Sequence, residues 1–364
     1  MVGATLLTAA CGDKGQGTST STSTPSGSSA RGSSTAAASA RSNTAAASVS
    51  ALAPPPIPAE LRAKLDAGAT CKWSDEGLMQ SCDAEEQLKK YVEANHTPAT
   101  LDGCLSAISD KVAAIRVMGS ACLYDFYFGV SDVEAKPTVG KVFDVILPAI
   151  EKETEPGVRA ALGSAIWQRD ALSVDKADAV VATLKKLDPA KDGRAMSFMV
   201  ASLYWFGMNT EPPKGALDLA GTFAASPQSS LRQDAYALMG YAPSRAEEFC
   251  PILRKAIEED ADKWTDALSA LGSLGKSCEK EGEAVQAAIV KRLERAADPE
   301  HKSNEDISSW GELRGYVSSA ERTKDQREAI AKAADKVAKG AKTSDAHKKY
   351  AKSLAELARG EKEK

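Results

Sequence analysis

The chain has 364 residues, with 46 Lys and Arg against 50 Asp and Glu, which gives a formal net charge of −4. Because the positive and negative charges nearly balance, the overall charge indicates no particular class of binding partner, and we predict no nucleic-acid binding. After residue 11, no stretch approaches the roughly 18 uninterrupted apolar residues that a membrane-spanning helix needs. We therefore predict no transmembrane helix in the body of the chain.

The first element ends at Cys11. The run Leu6-Leu7-Thr8-Ala9-Ala10-Cys11 resembles the end of a bacterial lipoprotein signal peptide, in which two small residues precede the cysteine that receives the lipid. The chain departs from that pattern because no Lys or Arg precedes Cys11 and because Thr8 stands where Leu is preferred. We expect a basic leader upstream of Met1. The resemblance implies that residues 1–10 are a signal-peptide remnant and that Cys11 is lipidated. A chance cysteine in a ragged N-terminus is the alternative.

Residues 11–58 form the second element, a tether. Ser, Thr, Ala, Gly and Pro dominate it, and it ends on Pro54-Pro55-Pro56. Such a segment cannot bury enough apolar surface to offset its ordering entropy, so we predict that it is disordered. With lipid on Cys11, the tether would hold the body in the periplasm or at the cell surface of a bacterial envelope.

The body is predicted to be all-α. Apolar residues recur at three and four positions, as in Val142, Phe143, Val145, Ile146, Ala149 and Ile150. We divide it into an N-terminal disulfide-containing helical segment at 59–100, helical repeats at 101–320 and a basic C-terminal helical cap at 321–364.

Weak internal similarity marks the repeats. Pro156-Gly157-Val158-Arg159-Ala160-Ala161 and Ser230-Leu231-Arg232-Gln233-Asp234-Ala235 open two helices in the same style. Arginines fall at similar intervals of 35 to 43 residues, at Arg116, Arg159, Arg194 and Arg232. This style resembles the second helix of HEAT repeats. The resemblance implies an α-solenoid of helical hairpins; an irregular helical bundle is the alternative.

Six cysteines remain in the body: Cys71, Cys82, Cys104, Cys122, Cys250 and Cys278. They allow 15 pairings. In HEAT-like hairpins, neighbours along the chain come together, which favours Cys71–Cys82, Cys104–Cys122 and Cys250–Cys278. Because Cys250 precedes Pro251, we place it at the start of a helix. Disulfides indicate an oxidising compartment, and buried free thiols in a cytosolic protein are the alternative.

Two aromatic segments close similar helices. The candidate partner-binding residues within them are Tyr124, Phe126, Tyr127, Tyr204, Trp205 and Phe206. On one concave face, such residues would form a groove for a peptide or a glycan. Packing between repeats is the alternative role.

The C-terminal helices are basic, with 13 Lys or Arg against seven Asp or Glu from Arg322 to Lys364. They suit either a polar terminal cap or contact with an anionic surface. We favour the cap.

The sequence contains no motif for catalysis, metal binding or a cofactor. The histidines, His96, His301 and His347, stand far apart, and no nucleotide-binding or hydrolase motif occurs. We therefore expect no catalytic residue, no metal and no cofactor. The favoured function is a membrane-anchored lipoprotein that acts as a protein-interaction scaffold for another envelope protein. The alternative is a glycan- or peptide-binding protein, or an enzyme, that uses the aromatic face.

Overall fold

A computed structural model describes residues 56–77, 80, 82–128, 130, 132–166, 174–207, 211–260, 262–297, 310–318, 323–340 and 343–360. Every regular element in these ranges is helical, and none is a strand. The predicted lipidation site, Cys11, and nearly all of the predicted tether lie outside them. Within the described ranges, no helix combines the length and the apolar character that crossing a membrane requires.

The helices follow one another through short connections. They are α1 (Ala59–Ala67), α2 (Asp83–Ala94), α3 (Pro98–Ala107), α4 (Ala113–Tyr127), α5 (Asp132–Lys152), α6 (Pro156–Ser164), α7 (Val174–Leu184), α8 (Gly193–Gly207), α9 (Lys214–Ala224), α10 (Ser229–Gly240), α11 (Ala246–Glu259), α12 (Trp264–Leu274), α13 (Gly282–Ala297), α14 (Trp310–Ser318), α15 (Lys324–Lys339) and α16 (Asp345–Arg359). A 3₁₀ turn, Gly275–Glu281, joins α12 to α13.

Local sequence explains several helix ends. Thr97 caps α3 by accepting a hydrogen bond from the Thr100 amide, and Pro98 takes the first helical position. Thr323 and Gln326 form a reciprocal capping box at the start of α15. The helix α12 ends at Gly275, whose positive φ of 51° suits glycine.

Contacts between helices follow a regular order. From α3 onward, each odd-numbered helix packs against the next odd-numbered helix, and from α2 each even-numbered helix packs against the next even-numbered one. Odd and even helices that adjoin in the chain also pack together as pairs, as in α3 with α4 and α11 with α12. We call the two sets the odd layer and the even layer. One core cluster, which extends from Leu61 to Ala358, lies between them.

Arginine side chains connect successive helices of the even layer. The fourth residue of α4, α6 and α10 is an arginine that donates to an acidic residue preceding the next even helix: Arg116 to Glu153, Arg159 to Asp192 and Arg232 to Asp260. Each arginine also donates to the backbone carbonyl six residues earlier in the chain. These bonds tie the end of one hairpin to the beginning of the next.

The helix α8 departs from this pattern, and it corrects our grouping of Arg194 with the other arginines. Its fourth residue is Met196, which is fully buried. Before α10, Ser226 stands where the other connections have an acidic residue. Its hydroxyl donates to the Pro189 carbonyl at 3.2 Å and accepts from the Gln228 amide at 3.1 Å. Arg194 lies two residues earlier, about 200° around the helix from Met196. It therefore points away from the connecting position.

The cysteines pair as expected. Cα atoms lie 5.9 Å apart in Cys71–Cys82, 5.6 Å in Cys104–Cys122 and 5.5 Å in Cys250–Cys278. One detail of the prediction is wrong: Cys250 is the fifth residue of α11 and Pro251 lies inside that helix. The helix begins earlier because Ala246 and Phe249 are buried against the core. Pro251 costs it one backbone hydrogen bond.

The loop between Cys71 and Cys82 rests on α6 and positions the candidate site. A Cβ atom at Gly157 would lie 2.6 Å from the Ser74 carbonyl oxygen, and one at Gly77 would lie 2.4 Å from the Ala161 nitrogen. Trp73 packs there against the small cluster of Val117, Val158 and Ala161. Two glycines therefore permit a close backbone approach that any side chain would block.

Candidate binding groove on the even layer

A cavity of about 500 Å³ opens on the even layer. We call it the even-layer groove. Four successive even helices, the start of α2 and the loop at Gly77 form its wall. The lining residues are Gly77 and Glu85; Val117, Ser120, Ala121 and Tyr124 of α4; Ala161 and Ser164 of α6; Arg194, Ser197, Phe198, Ala201 and Tyr204 of α8; and Ser230, Gln233 and Asp234 of α10.

These residues share one helical face. Counted from the fourth residue of each helix, Tyr124 and Tyr204 both stand eight positions later, and Phe198 and Asp234 both stand two positions later. Arg194 stands two positions before that residue, close to the same face. The connecting arginines therefore point toward the segment that precedes the next even helix, while residues of this face line the cavity.

Arg194 is the cationic residue in the groove wall. Its Cζ atom lies 4.3 Å from the ring centroid of Phe198, so the guanidinium stacks on the aromatic face. The Nε atom is buried, and it has no hydrogen-bond partner among the described residues. An unpaired buried donor costs roughly 1–3 kcal/mol. The protein encloses this atom and leaves its bonding capacity unused among the described residues.

Asp234 is a half-buried acid in the same wall. It accepts hydrogen bonds from the hydroxyl groups of Ser197 and Tyr204. Burial raises the pKa of the Asp234 carboxyl to about 7, against the opposing effects of these bonds and of attraction to Arg194. Burial also raises the pKa of the Tyr204 phenol, whose ring stacks on Tyr241 at 6.1 Å between centroids.

Other polar groups in the groove are held in place by the protein. The Gln233 amide nitrogen donates to Asp266 at 3.0 Å, while its oxygen accepts from Lys263 at 2.9 Å. The hydroxyls of Ser120 and Ser164 donate to carbonyls of their own helices. Their oxygen atoms retain capacity to accept from a ligand.

An aromatic and acidic rim borders one end of the groove. Phe128 is 61% exposed and stacks on Tyr124 with ring centroids 6.1 Å apart. The Lys89 ammonium lies 5.8 Å from the Phe128 centroid. Burial and the neighbouring Glu86 raise the pKa of Glu85, and burial raises the pKa of Asp125 to about 6.

The six predicted partner-binding residues do not all lie in the groove. Tyr124 and Tyr204 are half-buried and line the groove. Phe126 and Tyr127 are buried in the core and do not reach it, because the helical period turns them toward the odd layer. Phe126 stacks on His96, and the Tyr127 hydroxyl donates to Thr138 at 2.8 Å. The side chains of Trp205 and Phe206 lie outside the described residues.

Sequence reasoning missed Arg194, Ser197, Phe198 and Asp234. The signal was present in the helical register. When positions in α8 are counted from Met196 and not from Arg194, Tyr204 takes the position of Tyr124 in α4, and Phe198 takes the position of Asp234 in α10. The spacing of the arginines concealed this register, because Arg194 lies only two positions before Met196 and so falls at nearly the same interval as the connecting arginines.

A larger cavity of about 850 Å³ lies between α12 and α14. Its wall includes a single aromatic residue, Tyr316, and four glycines. It therefore offers fewer anchoring side chains than the even-layer groove. In the part of the chain that the structure describes, no cluster of three or more His, Cys, Asp or Glu residues is arranged to hold a metal ion.

No protein-family model matches the chain, and no curated protein matches it.

Proposed function

We propose that the protein is a non-catalytic helical-repeat binding protein that holds another envelope protein in the even-layer groove. The observation that carries the proposal is one groove face built from four successive helices. Half-buried tyrosines alternate there with fixed polar groups. Rigid aromatic side chains supply contact area at low entropic cost, and an arginine supplies directional hydrogen bonds.

HEAT-like solenoid architecture is part of this proposal. The regular packing of odd helices on odd and even on even supports it, as does the repeated arginine-to-acid connection at Arg116, Arg159 and Arg232. In such an array each repeat contacts only its neighbours, so one face extends along the array and suits a long polypeptide ligand.

Attachment to an envelope membrane through lipid on Cys11 completes the proposal. Three disulfide pairs support an oxidising compartment. Replacing Cys11 by Ser in the protein as its native cells produce it is expected to move the protein from the membrane fraction to the soluble fraction. Unchanged membrane retention of the variant would exclude lipid attachment at this residue.

Site-specific photo-crosslinking tests the groove. A photoreactive amino acid replaces Ala121 of α4, which lines the groove, or Ala182 of α7, which is exposed on the odd layer. In intact cells, position 121 is expected to yield an adduct with one protein partner and position 182 is not. Identical adducts from both positions, or no protein adduct at position 121, would contradict the proposal.

A groove for a glycan, or an enzyme acting on one, is the second candidate. Aromatic faces at Tyr124 and Tyr204 suit stacking on sugar rings, and the Asp234 carboxyl, with a pKa of about 7, suits proton transfer. Retention of envelope glycan fragments by the protein, lost on Tyr204→Ala, would favour this candidate. Turnover of those fragments would identify an enzyme.

A further inference from the structure

Arg194 differs from the arginines that connect the even helices. Arg116, Arg159 and Arg232 each form an ion pair with a buried or largely buried carboxylate. Among the described residues, no carboxylate lies within ion-pair distance of Arg194, and its Nε atom has no acceptor. Its one close partner is the ring of Phe198. The groove thus contains a cation that no described carboxylate pairs with directly, although Asp234 attracts it from beyond ion-pair distance.

The stacked geometry defines what the counter-group must be. A guanidinium lying on an aromatic ring has one face covered, and its hydrogen-bond donors are the N–H groups at its edge. That edge presents parallel donors that match the two oxygens of a carboxylate. A planar carboxylate is therefore the chemical group that Arg194 is best shaped to receive.

Neighbouring charges limit how much negative charge the groove accepts. Asp234 and Glu85 share the wall with Arg194, and both carboxyls lie where burial opposes ionisation. An acid-rich segment would face repulsion from these groups and from the acidic rim at Asp125. A single carboxylate with no adjacent charge fits one arginine.

From these observations we propose that the even-layer groove binds the free C-terminal carboxylate of its protein partner, with Arg194 as the anchoring residue. A chain end brings one carboxylate followed by amide N–H groups, which the oxygens of Ser120, Ser164 and Asp234 can accept. Tyr124 and Tyr204 then pack against the last side chains. This inference rests on the proposed function, because it assumes a polypeptide ligand.

Peptide pairs provide the test. C-terminal octapeptides of the envelope proteins are synthesised as free acids and as amides and arrayed against the intact, disulfide-bonded protein. Bound peptides are expected to favour the free acid by about 10- to 100-fold, the range expected for a charge-assisted bidentate hydrogen bond. Arg194→Met is expected to abolish this preference, and Arg194→Lys to retain a part of it.

Arg245→Met is the matched control. Arg245 also stacks on a phenylalanine four residues later, with its Cζ atom 5.0 Å from the Phe249 centroid, but it lies outside the groove. Its replacement is expected to leave peptide binding unchanged. Because the Arg194 Nε atom has no partner, Arg194→Met is expected to melt no lower than the Arg245→Met protein, so loss of binding would not reflect unfolding.

The outcomes separate the two proposals. Equal binding of acids and amides, or a preference that survives Arg194→Met, would overturn the carboxylate inference while leaving a protein adduct at position 121 intact. Absence of any peptide binding, together with a glycan adduct at position 121, would overturn both.

Discussion

Removing Arg232 should destabilise the protein more than its position in the first turn of a helix would indicate. Arg232 donates to both oxygens of Asp260, at 2.8 and 3.2 Å, and to the carbonyls of Ser226 and Pro227. The side chain of Asp260 is only 4% exposed. Burial alone would raise the pKa of Asp260, but the hydrogen bonds from Arg232 and Tyr236 hold it well below its usual range. The carboxylate thus depends on its arginine.

Breaking a buried ion pair by deleting one partner costs roughly 3–5 kcal/mol. In Arg232→Met, Asp260 retains the Tyr236 hydroxyl at 2.8 Å and the amides of Asp262 and Lys263 at 3.2 and 3.1 Å. We therefore expect a loss of about 3 kcal/mol, at the lower end of that range.

The chain itself supplies the control. At the preceding connection of the even layer, between α8 and α10, Met196 and Ser226 stand in place of the arginine and the acid. Arg232→Met combined with Asp260→Ser reproduces that natural pair, because serine accepts a backbone amide without carrying charge. The double variant is expected to lose about 1–2 kcal/mol, less than the single variant, since no carboxylate remains buried without its partner.

Urea unfolding under non-reducing conditions measures the free energies, and native-state hydrogen exchange in α10 and α12 localises the loss. Local measurement matters because a chain of many successively packed helices can unfold in parts. A loss below 1 kcal/mol for Arg232→Met, or a double variant no more stable than the single one, would refute this account of the arginine connections.

Two further predictions concern the same layer. Gly240→Ala should destabilise by about 1–3 kcal/mol because its Cβ would lie 2.9 Å from the Ala270 Cα atom. Gly272→Ala, whose Cβ meets no described atom within 4 Å, should stabilise the protein by up to about 1 kcal/mol. Thermal unfolding of the two variants checks both predictions, and equal shifts in their melting temperatures would show that the close contact at Gly240 has no effect. Asp234 has a folded pKa raised to about 7, so the stability it contributes is complete below pH 4 and is lost as pH rises toward 7. The free energy of unfolding of Asp234→Asn, relative to that of the wild type, should therefore rise as the pH increases from 4 to 8, by on the order of 4 kcal/mol in all. A difference in unfolding free energy that does not change with pH would contradict the raised pKa.

Much of the fold could be predicted from local sequence. Apolar spacing such as that of Val142 to Ile150 specifies helices, and Pro98, Thr323 and Gly275 mark where helices begin or end, because these signals act through neighbouring residues. The pairing of cysteines followed from hairpins in the same way. The exact start of α11 did not, because burial of Phe249 outweighs the proline at 251.

The groove could be predicted only in part. Aromatic helix ends pointed to Tyr124 and Tyr204, but equally to Phe126 and Tyr127, which are buried. The difference is one of helical rotation, and rotation depends on which residues face the core. Arg194 shows the same limit: its spacing matched the connecting arginines, while its contact with Phe198 places it in the groove.

The sequence by itself determined the helices, their short connections and the cysteine neighbours, since each depends on residues close together in the chain. Tertiary structure alone decided which face of each even helix forms the groove. It also decided that Arg194 has no described carboxylate within ion-pair distance and that the half-buried Asp234 shares the groove wall with it. These facts depend on packing between helices whose first residues lie 36 to 43 positions apart in the chain. That packing determines burial and the available hydrogen-bond partners, and with them the chemistry of the groove.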